Sequence, residues 1–353
     1  MAATQNNRII YSCQAVGIGP TGQSFSNAVA VHGVQSIGIT TNFNLEQVFE
    51  LGQIEIYENI EGVPDVEITM EKVLDGYDLI YHLATTGAND GGGLGLLNRL
   101  KQRCDVALGI FAEAFDNVAS AEASGDASME VQCTGMYVSS LSYTLPTEGN
   151  ATESVTLVGN HKQWIEDGST FTSGGANIDI IGFGGADEPA ALNDSAQGGV
   201  QRREDVIISA SQIPTSIYGG SSAHIQNVSI SSDFNREEIY ELGQKIPYFR
   251  PAQFPVEVSC EIEVISTSGD FVQAIESGDP DLDGTKYEGN NTSEETISFQ
   301  TRAGYKFNLG AKNRLQSVSY GGGDATGGNA SMTYSYINFN DLDVTFNSSY
   351  SAP

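Results

Sequence analysis

The stretch GIGPTG (Gly17 to Gly22) has the GxGxxG spacing that lets backbone amides close on a pyrophosphate. That chemistry needs a helix opening directly behind the glycines, with its amides aimed at the phosphate. Here QSFSNAVAV follows and alternates like a strand, so the stretch reads as a loop. GGGLG (Gly91 to Gly95) reads as a flexible turn before LLNRL. DPDLDG places Asp279, Asp281 and Asp283 at the first, third and fifth positions of a calcium loop, with Gly284 at the sixth. The twelfth position is Asn290 where calcium needs a bidentate Glu, and no helices are expected to flank it. An exposed acidic turn is the preferred reading, and no metal or cofactor is expected. His32, His82, His161 and His224 show no ligand spacing and no HExxH. No GxSxG nucleophile motif occurs. No catalytic residue is assigned, and the chain is not expected to be an enzyme.

The elements that would position any site are set by composition first. Of 353 residues, 39% are hydrophobic and 17% charged, which is the balance of a folded chain. Forty glycines and many β-branched and aromatic residues point to strands broken by turns. The net charge of −29, from 45 acids and 16 bases, repels nucleic acid and anionic lipid. A DNA-gripping role is therefore not expected; a role in which polyanions pass without sticking stays open, as does salt adaptation. Cys13, Cys104, Cys133 and Cys260 lie far apart and read as buried thiols of a reducing cytoplasm. MAATQNNRII lacks the basic start and apolar core of a signal peptide, so general secretion is not expected. No apolar run approaches the ~20 residues that span a bilayer.

The chain repeats itself. NFNLEQVFELGQ (Asn42 to Gln53) returns as DFNREEIYELGQ (Asp233 to Gln244). With Gln35 set against Gln226, the shared signature is Phe43/Phe234, Asn44/Asn235, Glu46/Glu237, Glu50/Glu241, Leu51/Leu242, Gly52/Gly243 and Gln53/Gln244. The match continues to Pro64/Pro255. One residue then drops out of the second copy, and VEITMEKV (from Val66) faces VEVSCEIEV (from Val256). Farther on, SLSY (Ser140 to Tyr143) and GNA (Gly149 to Ala151) face SVSY (Ser317 to Tyr320) and GNA (Gly328 to Ala330). Order kept over this distance indicates duplication of a whole domain and not a short solenoid repeat.

Within each copy, Ile37, Ile39, Thr41 and Phe43, or Val228, Ile230, Ser232 and Phe234, form one side of a half-buried strand. NLEQVFELG and NREEIYELG predict a short helix, with Asn44 or Asn235 as its cap and Gly52 or Gly243 ending it. In the next strand Val256, Val258, Cys260, Ile262 and Val264 alternate with Glu257, Ser259, Glu261 and Glu263. Between the copies lies a Gly-rich stretch read as a linker, in which IDIIGFG can form a short strand. The expected division is a first β domain over 1–165, a linker over 166–205 and a second β domain over 206–353.

Gln35 to Gly76 (QSIGITTNFNLEQVFELGQIEIYENIEGVPDVEITMEKVLDG) and its copy from Gln226 resemble the tail tube, or major tail, proteins of tailed bacteriophages. The likeness lies in the order strand, short helix, strand, strand; Glu166 to Arg203 has no match. It implies a mainly β fold of two tandem sandwich or barrel domains, each with a short flanking helix and long loops. Most such proteins have one domain and form six-membered rings; some carry two and close with three chains. The resemblance therefore implies a homotrimeric, pseudo-sixfold ring, or a hexamer, stacked as a tube in a virion tail and assembled in the host cytoplasm. Its partners would be copies of itself and other tail proteins, with DNA passing without specific binding and no membrane contact. Glu67, Glu71, Glu257, Glu261 and Glu263 would line the lumen, the alternative being an acidic outer surface. Two other functions stand beside this one. The first is a terminator, baseplate or injection-tube part on a related fold. The second is a carbohydrate-binding protein of two modules, which expects clustered surface aromatics; the single tryptophan, Trp164, has no counterpart in the second copy.

Overall fold

The computed structural model describes residues 9, 11, 14–22, 25, 28–85, 95–111, 127–166, 170–172, 178–179, 199–209, 212–214, 217, 224–265, 272, 294–323 and 329–346. The first half contains β1 (Gln14–Pro20), β2 (Val29–Ala30), β3 (Val34–Asn42), β4 (Leu45–Phe49), β5 (Ile56–Glu61) and β6 (Asp65–Val73). Helices α1 (Ile80–Thr85) and α2 (Leu96–Arg99) lead to β7 (Cys104–Ile110), β8 (Met129–Pro146), β9 (Thr152–Gly159) and β10 (His161–Glu166). The strands β11 (Phe171–Thr172) and β12 (Ile178–Asp179) pair in parallel. The second half contains β13 (Val206–Ile207), β14 (His224–Asp233), β15 (Glu257–Ile265) and β16 (Ser298–Thr301). It ends with β17 (Tyr305–Asn308), β18 (Arg314–Gly321), β19 (Ser331–Phe339) and β20 (Asp343–Phe346). The protein is mainly β, as its composition and alternation predict, and no sheet closes into a barrel among the described residues.

One sheet runs through both halves in the order β3-β6-β9-β8-β14-β15-β19-β18. The first half contributes β3-β6-β9-β8 and the second β14-β15-β19-β18, which is the same order of equivalent strands. A second set of strands repeats as well: β1-β7-β8-β10 in the first half, β13-β16-β17-β20 in the second. The long strand β8 serves both sets in the first half, its start pairing with β7 and β10 and its end with β9 and β14.

The inward side chains of the long sheet and those of the shorter sheet share one core. Ile68, Met70, Val155, Ile230, Cys260 and Ile262 belong to it, with Phe299, Tyr305 and Phe307 from the facing strands. Each such side chain contributes roughly 1.5–3 kcal/mol by leaving water. Helix α1 is buried all round, which is why no amphipathic period marks it in the sequence. The buried carboxylate of Glu153 accepts the Ile80 amide (2.7 Å), the Tyr81 amide (3.1 Å) and the Tyr143 hydroxyl (3.1 Å). Burial pushes the Glu153 carboxyl up to about 6, against the opposing pull of those amides.

Register makes the duplication concrete. A bulge falls between Val34 and Ser36 against β6, and its counterpart falls between Ile225 and Asn227 against β15. A second bulge falls between Val138 and Ser140 on β8, matched between Leu315 and Ser317 on β18. The sequence alignment of the middle strand needs correction. Thr41 pairs with Val66, and its equivalent Ser232 pairs with Val258, not Val256. The second copy therefore carries an extra residue here where the alignment expects a missing one. Val256 is buried and exchanges hydrogen bonds with Asn340, whose side chain accepts at 2.9 Å and whose amide donates at 2.8 Å.

The flanking helix is also corrected. NLEQVFELGQ forms β4 and a turn, and β5 returns as its hairpin partner, pairing Leu45 with Glu61 and Val48 with Glu58. The second copy keeps the pattern as bridges between Arg236 and Ala252 and between Ile239 and Phe249. Gly52 and Gly243 do adopt positive φ (95° and 89°), but in turns closed by Gln53 N to Glu50 O and Gln244 N to Glu241 O. Asn44 and Asn235 themselves have positive φ, which a helix cap does not. A helix of this sequence would have a face of only Val48 and Leu51; cross-strand pairing satisfies the backbone instead. GIGPTG is corrected from loop to strand: β1 runs through Pro20 and a turn follows. Asp279, Asp281 and Asp283 lie outside the described residues.

Candidate functional site

Among the described residues no cluster of His, Cys, Asp or Glu could hold a metal. The histidines are dispersed: His32 stacks on Tyr77, His82 is buried in α1 against the Val344 carbonyl (2.9 Å), His161 meets Thr134 (3.0 Å), and His224 is exposed at the start of β14. Cys104, Cys133 and Cys260 are free and buried; Cys13 lies outside the described residues. The feature with the most built-in specificity is the joint between the two halves.

At this joint β8 and β14 pair antiparallel, Ser142 opposite Ser231 and Ser140 opposite Asp233. The ladder ends where the Phe234 amide donates to the Ser139 carbonyl (2.8 Å), and Phe234 is 0% exposed. Beyond it the second hairpin folds over the first half. Arg236 donates to the carbonyls of Val138 (2.8 Å), Leu100 (2.9 Å) and Arg250 (3.1 Å). Its guanidinium carbon lies 5.1 Å from the Tyr137 ring centre and 5.9 Å from that of Phe234. Burial lowers the Arg236 guanidinium to about 10, which leaves it charged at neutral pH. The rings of Phe249 and Tyr137 pack edge to face. Arg250 is buried, and its guanidinium reaches Asp65 (2.7 Å) and Glu238. Partial burial pushes the Asp65 carboxyl up, but hydrogen bonds from Asn44 and Arg250 and the Arg250 charge outweigh it and hold it below its usual range.

The signature residues divide by half. Phe234 is sealed in the joint, whereas its twin Phe43 is 62% exposed. Glu46, Glu50, Leu51, Gly52, Gln53, Glu237, Glu241, Leu242, Gly243 and Gln244 are exposed on the hairpins. Asn44 donates to Val63 O (2.9 Å) and Asp65 Oδ2 (2.7 Å), and the Asn235 amide donates to Asp233 (2.9 Å). The contacts that make the joint, Tyr137, Arg236, Arg250 and Asp65, escape a search for identities. They sit where the copies differ: Arg236 faces Leu45 in the alignment and Arg250 faces Asn59.

Glu67, Glu71, Glu257, Glu261 and Glu263 all lie on the face of the long sheet opposite the core; Glu263 is half-buried and the others are exposed. Their neighbours there are small and polar, such as Ser154 and Thr156 on β9 and Ser231 and Ser259, whose hydroxyls meet at 2.8 Å. The sheet ends at β3 on one side and β18 on the other, and neither has an outer neighbour among the described residues.

No protein-family model matches the sequence, and no curated protein matches it. Among solved structures, the chain has partial likeness to components of phage-like injection particles. The tube-terminating cap of the anti-feeding prophage is 16% identical over 47% of this chain and 99% of that chain, at a TM-score of 0.32. A chain of the sheath–tube complex of an extracellular contractile injection system, PVC, is 11% identical over 46% of this chain and 93% of that chain, at 0.30. The corresponding sheath/tube terminator is 12% identical over 46% and 99%, at 0.32. Likeness at these scores establishes neither the fold nor the function of this chain.

Proposed function

We propose that this chain is a structural protein that assembles with copies of itself into rings stacked as a phage tail tube. The observation that carries this reading is the head-to-tail joint inside the chain. The last strand of the first β3-β6-β9-β8 unit pairs with the first strand of the second unit, and the outer edges of β3 and β18 are left as the same two surfaces. A contact that joins one surface to a different one closes a ring or grows a filament. Natural edge strands are guarded by Lys, Pro or bulges against such pairing. β3 (VQSIGITTN) has neither Lys nor Pro over its length, and its bulge at Gln35 matches the one at Gln226 in β14, which pairs with β8 all the same, so its edge suits a partner.

Two units per chain suit a ring of three chains with six pseudo-equivalent segments, the first from 1–165 and the second from 206–353. The acidic face carrying Glu67, Glu71, Glu257, Glu261 and Glu263 then forms the inner wall. Carboxylates among serines and threonines repel phosphates, so DNA passes without sticking. Other tail proteins would meet the open ends of the tube in the virion. Sedimentation across a concentration series tests the reading. Three-chain species and their stacks are expected; a single chain at every concentration contradicts it. Single rings that never stack indicate a terminator or baseplate part instead.

A further inference from the structure

The internal joint is a template for the joint between chains, and this rests on the self-assembly reading above. Strand equivalences carry through the sheet without a gap. Ser36 pairs with Glu71, Glu71 with Ser154 and Ser154 with Ser142; Asn227 pairs with Glu263, Glu263 with Thr333 and Thr333 with Ser319. Ser319 is therefore the counterpart of Ser142, and by the same count Arg314 is that of Tyr137 and Gln316 that of Ser139. The matched bulges hold this register independently.

The two surfaces are bare in the manner the template predicts. Phe43 is 62% exposed where Phe234 is 0%, and Tyr320 is 57% exposed where Tyr143 is 0%. Ile37 and Ile39 are half-buried where Val228 and Ile230 are sealed. The hairpin that follows Phe43 exposes Leu45, whereas its counterpart Arg236 docks the start of the second hairpin; farther along the two hairpins are alike, Phe49 and Tyr57 being exposed as Tyr240 and Tyr248 are. Phe43, Tyr320, Ile37, Ile39 and Leu45 are the residues that a neighbour must cover, and the neighbour with the matching shape is another copy of this chain.

We propose that β18 of one chain pairs with β3 of the next in the register that β8 makes with β14, and that the β4–β5 hairpin closes over the joint. Thr40 then faces Ser319 of the neighbouring copy and Asn42 faces Ser317. The Phe43 amide donates to the Gln316 carbonyl, and the Phe43 ring is buried. The arginine at the joint changes sides. Inside the chain Arg236 reaches from the hairpin to Tyr137 and Phe234. Between chains the hairpin offers Leu45, and Arg314 occupies the Tyr137 position, so the cation reaches Phe43 from the opposite side. In the single chain Arg314 lies 3.6 Å from Glu294, and both side chains are exposed, so the guanidinium can leave that pair at little cost.

Antiparallel pairs that exchange no backbone hydrogen bond bring side chains closest. The Phe234-to-Ser139 bond makes Asp233–Ser140, and hence Ser231–Ser142 and its counterpart Thr40–Ser319, pairs of that type. The full-length chain carrying Thr40→Cys and Ser319→Cys should, on mild oxidation, give disulfide-linked multimers on a non-reducing gel. Either single variant should not. The slipped pair Thr40→Cys with Ser317→Cys should link at least tenfold less. In parallel, Arg314→Ala should raise the concentration for half-assembly by about tenfold, the loss of one partly desolvated cation–aromatic contact. Rings that link through the slipped pair overturn the joint while leaving assembly intact. Rings that link through neither pair and ignore Arg314→Ala do the same. A chain that never assembles overturns both readings.

Discussion

The same substitution at twin positions should have opposite consequences. Phe234 is fully buried at the internal joint, in van der Waals and cation–aromatic contact with its surroundings. Replacing it with Ala removes a buried aromatic and leaves a cavity, so Phe234→Ala should cost about 3–5 kcal/mol of folding free energy. Phe43 shares its place in the repeat but is 62% exposed. Phe43→Ala should change the stability of the single chain by no more than ~0.5 kcal/mol, as other surface changes do. It should instead weaken assembly. Burying a phenylalanine contributes roughly 1.5–3 kcal/mol, so the concentration for half-assembly should rise about ten- to a hundredfold. Urea denaturation at dilutions where sedimentation shows single chains gives the first pair of numbers, and a sedimentation series gives the second. Equal destabilisation by the two substitutions would refute the reasoning, because Phe43 would then be buried within one chain. No effect of Phe43→Ala on assembly would refute the claim that a neighbour covers it.

Three further outcomes follow from the geometry. The Glu153 carboxyl is held up near 6 in the folded chain against an ordinary 4.5, so the unfolded chain releases its proton first. Stability should therefore fall by about 2 kcal/mol in all as pH rises from well below 4.5 to well above 6, and Glu153→Gln should flatten that fall in urea titrations; an unchanged slope contradicts the assignment. A double-mutant cycle with Asp65→Asn and Arg250→Met should give a coupling of about 1 kcal/mol, kept small by the exposure of Asp65; additive effects would deny that the pair spans the joint. Glu257→Lys, Glu261→Lys and Glu263→Lys together should leave tubes intact but slow DNA passage in reconstituted particles; unchanged delivery would put this face outside the tube.

How much of this was legible in the sequence depends on the range of each interaction. β6 and β15 declare themselves because apolar and acidic residues alternate with the pleat. That same period hides a slip along the strand: Val66 opposite Val256 and Val66 opposite Val258 put identical chemistry on each face, and only the partner strands decide. The hairpin turn reads as a helix end because Leu51-Gly52 suits a helix end and a tight turn equally; the return strand at Ile56 to Glu61 is the discriminating cue. Helix α1 leaves no periodic trace because it is buried on every side. The joint is the least legible part. Identity between copies marks the shared fold, whereas Arg236 and Arg250 mark a place where the second copy covers the first. Those residues are visible in the sequence as differences within an otherwise close match, and they become a site only once β8 is seen to pair with β14.

The central claim is that one chain is two segments of a ring whose joints all follow one plan. Electron microscopy of the purified protein, with rotational averaging of end-on views, tests it most directly. The account predicts rings with a central hole, threefold symmetric in detail and nearly sixfold in outline, stacking into tubes. Isolated single chains at high concentration, or rings whose symmetry does not allow three chains of two segments, would contradict it.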